Sequence, residues 1–248
     1  GPAASAFGPR ENPRRSMGAK TWMLVYADGD VRDLLAAKPK LDRDATIRLA
    51  RALFPNDGLQ AIDDGNLADT SPPDDEITIG CFPGVSVVAA AEFGLDYPSR
   101  LPPRFLRPAP GPTVYLHAMH SAVDWFAFAI WQDGQLKRAL SLSPASGVLE
   151  DLGARLPFEE PYWCGERPVG DPADQAEDQP AYPFPFHPLD LGDAALGALF
   201  GYHIEGEMTD LDPIAFPLAS FKRTRGGRPA PAAAPQAARR RRPWWRFW

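Results

Sequence analysis

The sequence predicts an α+β fold in a single domain, with a central, largely antiparallel sheet flanked by a few helices. Short segments rich in β-formers are separated by dipeptides that favour tight turns between antiparallel strands. These dipeptides are Asp64-Gly65, Pro83-Gly84 and Asp133-Gly134. Helical patterns are few, and they rarely alternate with single strands as the β–α–β units of a parallel sheet would require.

The chain is predicted to begin its fold with a buried strand and a helix. Residues 21–27 form a continuous apolar run rich in β-formers, which ends at a turn over residues 28–30. Asp42 is a suitable N-cap for a helix whose apolar residues recur at helical spacing up to a stop at residues 55–58. This helix should pack one face on the sheet.

Two hairpins are predicted next. The first turns at Asp64-Gly65, between two short alternating segments. The second joins strands at 77–82 and 85–91, where Pro83-Gly84 suits the central positions of a type II turn.

A three-strand meander is predicted over about residues 113–143, with strands at 114–120, 125–131 and 136–142. In the middle strand, tryptophan and alanine alternate with phenylalanine and isoleucine. Side chains alternate across a strand, so both of its faces are apolar. It should therefore be a central strand that is covered on both sides.

The C-terminal part of the body is rich in proline. Residues 157–188 contain eight prolines with aromatic residues between them, which predicts an ordered wrapping segment interrupted by an exposed acidic loop at 171–179. A helix at 190–200 should end at Gly201. A strand at 214–221 is expected to close the sheet.

Charge divides the chain into two unlike parts. It has 26 basic and 32 acidic residues, and nine of the basic residues but none of the acidic ones lie from Lys222 onward. Residues 1–16 hold three arginines and one glutamate, which leaves the body at 17–221 with 14 basic and 31 acidic residues. An acidic body repels nucleic acid and anionic lipid, so binding to polyanions must come from the tail.

Four segments follow from these patterns. Residues 1–16 form a polar leader, either disordered or added for expression, with Met17 a plausible natural start. Residues 17–221 are enough for one domain with a full core. Residues 222–238 form a linker rich in proline and alanine, and residues 239–248 form the tail.

The sequence predicts a cytoplasmic protein. The two cysteines, Cys81 and Cys164, are far apart and lack metal or redox spacing, which favours buried thiols in a reducing compartment. We find no apolar signal-peptide region and no run of about 18 apolar residues that could cross a membrane.

The tail combines five arginines with four aromatic rings. Its charged and aromatic residues are Arg239, Arg240, Arg241, Arg242, Trp244, Trp245, Arg246, Phe247 and Trp248. This mixture suits an anionic membrane surface, where indole rings lie at headgroup level and guanidinium groups meet phosphate. A groove on a partner protein is the main alternative, and single-stranded nucleic acid and the acidic body of the same chain are weaker ones. A non-catalytic adaptor with a peripheral membrane anchor is the favoured function.

Several short phrases of the chain are distinctive in combination. They are Gly18-Ala19-Lys20-Thr21, Tyr26-Ala27-Asp28-Gly29-Asp30, Gly80-Cys81-Phe82-Pro83-Gly84, Tyr115-Leu116-His117-Ala118-Met119-His120-Ser121, Asp124-Trp125-Phe126-Ala127-Phe128, Leu140-Ser141-Leu142-Ser143-Pro144 and Pro185-Phe186-His187-Pro188-Leu189. Together they resemble an actinobacterial family of uncharacterised proteins over residues 17–205. The resemblance implies a single cytoplasmic domain and brings no assigned activity or catalytic residues with it.

A hydrolase-like enzyme is the alternative hypothesis, and its candidate residues are Asp28, Asp30, His120 and Asp124. Carboxylates after a buried strand often hold a divalent cation, although Asp-Gly-Asp is also a common turn. His120, Ser121 and Asp124 contain a base, a nucleophile and an orienting group, but no nucleophile elbow surrounds the serine, which favours a turn. Convergence of the four candidates would favour the enzyme, and scattered positions would favour the adaptor.

No metal site or cofactor is predicted. His117 and His120 lie three residues apart on a predicted strand, so they should face opposite sides of the sheet. The sequence has no glycine-rich phosphate loop and no dinucleotide fingerprint. Glu159, Glu160 and Glu166 lie beside aromatic residues, a combination that can form a wall for a cationic or sugar ligand, but they are expected to be solvated carboxylates of a loop.

Overall fold

The computed structural model describes residues 19–107, 112–169, 182–204, 209 and 211–226. Within these residues, ten strands form one sheet in which neighbouring strands pair antiparallel. The strands are β1 (Lys20–Ala27), β2 (Gly58–Ala61), β3 (Gly65–Asn66), β4 (Glu76–Phe82), β5 (Val85–Ala89), β6 (Thr113–His120), β7 (Trp125–Gln132), β8 (Gln135–Ser143), β9 (Gly147–Leu152) and β10 (Pro217–Thr224).

The same part of the chain contains four α-helices, namely α1 (Val31–Ala36), α2 (Arg43–Leu53), α3 (Glu160–Trp163) and α4 (Pro188–Phe200). The strand order across the sheet is β2-β10-β4-β5-β1-β6-β7-β8-β9, and β3 also pairs with β10. A single, mainly antiparallel sheet with few helices agrees broadly with the predicted α+β class, although the sheet dominates.

Each face of the sheet carries its own apolar core. One core lies under α1 and α4, and the other lies under α2 and the short helical turns between residues 91 and 105. β7 contributes to both, because Phe126 and Phe128 point into the first core whereas Trp125 and Trp131 point into the second. The prediction of a central strand covered on both sides is therefore confirmed.

Local signals set the ends of several elements where the sequence predicts them. The Asp42 carboxylate accepts a hydrogen bond from the backbone N–H of Ala45 at 2.9 Å and caps α2. Gly201 ends α4 with φ +83°, a left-handed conformation that glycine adopts without strain. Gly84 joins β4 to β5 with φ +76°, as the third position of a type II turn requires.

The hairpin predicted at Asp64-Gly65 is wrong. β2 and β3 both pair with β10 and not with each other. β10 has eight residues, so it offers a longer ladder than the two short strands could offer one another. The sequence patterns predict neither β9 nor α1; β9 is a short strand at the edge of the sheet, and α1 has only six residues.

The last strand extends beyond its predicted end. β10 lies between β4 and β2 and continues to Thr224, so the linker begins later than the predicted residue 222. The polar side chains Lys222, Arg223 and Thr224 resemble a linker in sequence, but Arg223 is buried in the sheet. The leader at 1–16, residues 227–238 and the tail at 239–248 lie outside the described residues.

A buried ion pair fastens the proline-rich segment to the sheet. Arg138 of β8 donates to both carboxylate oxygens of Glu159, at 2.9 and 2.6 Å, and the two side chains are only 1% and 0% exposed. Arg138 also donates to Asp151 at 2.5 Å, and the Leu156 N–H donates to Glu159 at 2.9 Å. The expectation of a solvated Glu159 is therefore wrong, while the predicted acidic loop at 171–179 lies outside the described residues.

We expect Glu159→Gln to destabilise the protein by about 3 kcal/mol, because the buried Arg138 guanidinium loses its buried, bidentate carboxylate partner and keeps the part-exposed Asp151. Urea unfolding would measure this loss. Asp30→Asn is the matched control: asparagine still caps α1, and the Asp30–Arg32 pair is 39% and 54% exposed, so the loss should stay below about 1 kcal/mol. Equal losses in the two variants would contradict the structural role of Glu159.

Candidate functional site

Asp28 and Asp30 lie just beyond the C-terminal end of β1 and are exposed. Asp30 is the N-cap of α1 and forms an ion pair with Arg32 at 2.6 Å. Hydrogen bonding and charge from Arg32 lower the pKa of the Asp30 carboxyl below its usual value. Asp30 therefore has a structural role at the start of a helix.

His120 lies at the opposite end of the same pair of strands. In the antiparallel ladder of β1 and β6, His120 is the partner of Lys20, whereas Ala27 is the partner of Thr113. Seven residue steps of about 3.3 Å separate the two ends of the ladder, or roughly 23 Å. His120 therefore cannot share a pocket with Asp28 or Asp30.

Asp124, the fourth candidate, faces His187 with a distance of 3.6 Å between Oδ2 and the imidazole Nε2. The other ring nitrogen, Nδ1, accepts the backbone N–H of Leu189 at the start of α4, so Nε2 carries the proton in the neutral ring. Both imidazole nitrogens of His187 thus face partners, so the Asp124–His187 pair has no unoccupied nitrogen that could act as a general base. The four-residue pocket predicted for a hydrolase does not form.

The histidines of β6 face opposite sides of the sheet, as predicted. His117 is fully buried, and its Nε2 lies 2.9 Å from the carbonyl oxygen of Gly192 in α4. A carbonyl only accepts, so Nε2 carries the proton and Nδ1 accepts from the Thr21 hydroxyl at 2.8 Å. The described residues contain no group of three or more His, Cys, Asp or Glu side chains placed to share a metal ion.

His120 lines a surface cleft of about 340 Å³ that no motif in the sequence predicts. Trp22 of β1 and Trp125 of β7 form its aromatic side, with the Trp22 ring centroid 5.7 Å from His120 and 5.9 Å from Trp125. The Trp125 indole N–H donates to the Ser141 hydroxyl at 3.2 Å, which holds that ring in place. Three neighbouring strands thus bring three rings together.

The remaining wall of the cleft comes from two loops and from residues of β8 and β9. Gly94 and Asp96 follow the helical turn at Ala91–Phe93, and Ser143, Ala145, Ser146 and Leu149 come from the end of β8, the β8–β9 turn and β9. A Cβ on Gly94 would lie 2.8 Å from Cζ3 of Trp22, so only glycine allows the backbone to approach this indole so closely. The cleft therefore joins an aromatic side to a rim of carboxylate and hydroxyl groups.

The point where the tail leaves the body is firmly held. The Arg223 guanidinium forms ion pairs with Asp57, at 2.5 Å, and with Glu92, and it stacks 4.6 Å from the Phe54 ring. The Arg223 backbone N–H donates to the Asp75 carbonyl at 2.6 Å. Residues far apart in sequence thus hold the C-terminal end of β10, just before the described part of the chain ends at Gly226.

A family of unknown function (DUF6928) has a model that matches residues 21–221. The chain belongs to this family. No curated protein and no solved structure matches the chain significantly. No helix in the described part of the chain is long and apolar enough to cross a bilayer.

The burial of His117 predicts a pH dependence of stability. Burial lowers the pKa of this imidazole from 6.5 to about 4, although the Gly192 carbonyl partly opposes the shift. Between these two pH values the imidazole is protonated in the unfolded chain but not in the folded protein. The contribution of the neutral His117 to stability is therefore complete above about pH 6.5 and is lost as the pH decreases toward 4. This difference in pKa corresponds to a loss of about 3 kcal/mol in the free energy of unfolding.

His117→Gln replaces the imidazole with an amide, which can still form hydrogen bonds at this position but cannot titrate. We expect its unfolding free energy, measured with urea at several pH values, to fall less steeply than that of the natural protein between pH 6.5 and 4. The carboxylates and the other histidines titrate in both proteins, so the difference between the two curves isolates His117. Parallel curves would mean that His117 is not the source of the dependence.

Proposed function

We propose that this protein is a non-catalytic adaptor whose C-terminal tail at 239–248 binds an anionic membrane surface. One observation carries the proposal: these ten residues hold five arginines and four aromatic rings. About 1 kcal/mol per basic residue near an anionic leaflet amounts to roughly 5 kcal/mol, and the rings add a contribution that salt does not screen. Reversible attachment is the expected result.

The division of charge supports this role for the tail. The body at 17–221 holds 31 acidic against 14 basic residues, so an anionic surface repels it and attracts only the C-terminal segment. Twelve residues, 227–238, separate the end of the described chain from the tail. At about 3.3 Å per residue they can span up to roughly 40 Å, so the body need not touch the lipid.

The root of the tail also supports an anchoring role. Arg223 is buried and ion-paired with Asp57 and Glu92, so β10 is held by side chains as well as by its backbone ladder. Breaking a buried ion pair costs several kcal/mol. A force applied to the tail is thus resisted by the ion pairs of Arg223 and by the hydrogen bonds of β10.

The scattered positions of Asp28, Asp30, His120 and Asp124 favour an adaptor over the hydrolase alternative. The proposal places the protein in the cytoplasm, at the inner face of the plasma membrane, and the family resemblance adds an actinobacterial source. A groove on a partner protein is the competing destination of the tail, and nucleic acid is a weaker one. The vesicle experiment below separates these possibilities.

We expect the body to fold without its tail. A chain that ends at Gly226 keeps β10, Arg223 and all the described contacts of the body, so its thermal midpoint should lie within a few degrees of that of the full chain. Differential scanning calorimetry would compare the two. A large decrease would mean that the tail packs on the body, which would contradict its role as a free anchor.

We expect the full chain to bind anionic vesicles, with affinity falling as salt increases, and to bind neutral vesicles weakly. Sedimentation with phosphatidylglycerol and phosphatidylcholine vesicles would measure both. Replacing Trp244, Trp245, Phe247 and Trp248 by alanine should weaken binding but leave most of its salt dependence. Replacing Arg239–Arg242 by glutamine should remove the preference for anionic lipid.

The chain that ends at Gly226 is the matched control, because it keeps the body and should bind neither kind of vesicle. Failure of the full chain to bind anionic vesicles at low salt would overturn the membrane proposal. Capture of one specific protein through the tail would then identify the segment as a peptide ligand, and retention on single-stranded oligonucleotides would identify it as a nucleic-acid arm.

A further inference from the structure

We propose that the cleft between Trp22, His120 and Trp125 binds a neutral, ring-sized molecule that carries hydroxyl groups, such as a sugar or a cyclic polyol. The cleft belongs to the body and is independent of the tail. Its volume of about 340 Å³ lies at the lower end of the range for small-molecule sites, roughly 300 to 1,000 Å³. That size suits one or two sugar rings.

The aromatic side of the cleft is rigid. Trp125 is 7% exposed and its indole N–H is already bonded to Ser141, so the ring cannot swing out to accommodate large ligands. The Trp22 indole is confined by Trp125, His120 and the Gly94 backbone. Small-molecule sites combine such aromatic walls with a few placed polar groups.

The polar groups of the cleft match hydroxyls, which both donate and accept hydrogen bonds. Burial first, and then the nearby Lys20 charge, lower the pKa of His120, so its ring is neutral at pH 7 and offers one donor and one acceptor. None of the described residues is hydrogen-bonded to this imidazole. Asp96 adds an exposed carboxylate acceptor, and Ser143 and Ser146 add hydroxyls.

The charges around the cleft have opposite signs, so neither a cation nor an anion gains a net attraction from them. The Lys20 ammonium lies 5.0 Å from the centroid of the Trp22 ring, so a cation already occupies the position at which this indole would attract one. Asp96 on the rim repels anions. A neutral ligand avoids both repulsions, and its hydroxyls can use both charged groups as hydrogen-bond partners.

The test compares ligands that each contain one six-membered ring and that differ in charge. We would record saturation-transfer NMR and calorimetric titrations of the full chain with methyl glucoside and myo-inositol as neutral probes, glucosamine as the cation and glucuronate as the anion. We expect at least one neutral probe to bind with a dissociation constant of the order of 1 mM, as small ligands do, and the charged probes to bind at least tenfold more weakly.

Variants locate the binding. His120→Phe keeps a flat ring but removes the donor and the acceptor, so affinity for the neutral probe should fall about tenfold. Ser146→Ala removes a hydroxyl from an exposed turn where folding is not at risk, and it should weaken binding severalfold. His203→Gln, which changes a histidine outside the cleft, and the chain that ends at Gly226 should both bind as the natural protein does.

Three results would overturn the proposal. One is that neither neutral probe binds at millimolar concentration. Another is that a charged probe binds as tightly as the neutral ones. The third is that affinity is unchanged in both His120→Phe and Ser146→Ala. Vesicle binding by the tail does not enter these measurements, so this proposal and the membrane proposal fail independently.

Discussion

The central sheet has apolar side chains on both faces, and other parts of the chain must cover each face. Helices supply only part of this cover, with α1 and α4 on one side and α2 on the other. The rest of the cover comes from proline-rich segments, in which long helices and strands cannot form. Side-chain contacts therefore hold these segments on the sheet. The buried pair of Arg138 and Glu159 fastens the segment before α3 to β8, because either charge alone would be costly to bury.

The antiparallel register then decides which polar groups can act together. β1 and β6 run in opposite directions, so the carboxylates that follow β1 lie a full strand length from His120. The same register places His120 beside Trp125, its direct partner on β7, and near Trp22 on β1. A cleft with aromatic walls and a polar rim results, and the predicted carboxylate and imidazole pocket does not.

The short segment around Ala91–Phe93 links the C-terminal end of β10 to the cleft. Glu92 forms ion pairs with Arg223 at the root of the tail and with Arg104. Gly94, two residues later, lies against Trp22 in the cleft. The end of β10 and the cleft are thus supported by the same stretch of backbone.

The sequence by itself determined what depends on neighbours along the chain: the buried run of β1, the Asp42 cap, the end of α4 at Gly201, the two-sided β7 and the composition of the tail. Tertiary structure decided what depends on distant residues. The sequence around Arg223 predicts a linker, but in the fold its charge is buried between Asp57 and Glu92. The sequence around Glu159 predicts a solvated carboxylate, but in the fold it is paired with Arg138. β2 and β3 pair with β10, more than 150 residues away, because long-range pairing is set by which strands compete for an edge and not by local turn preference.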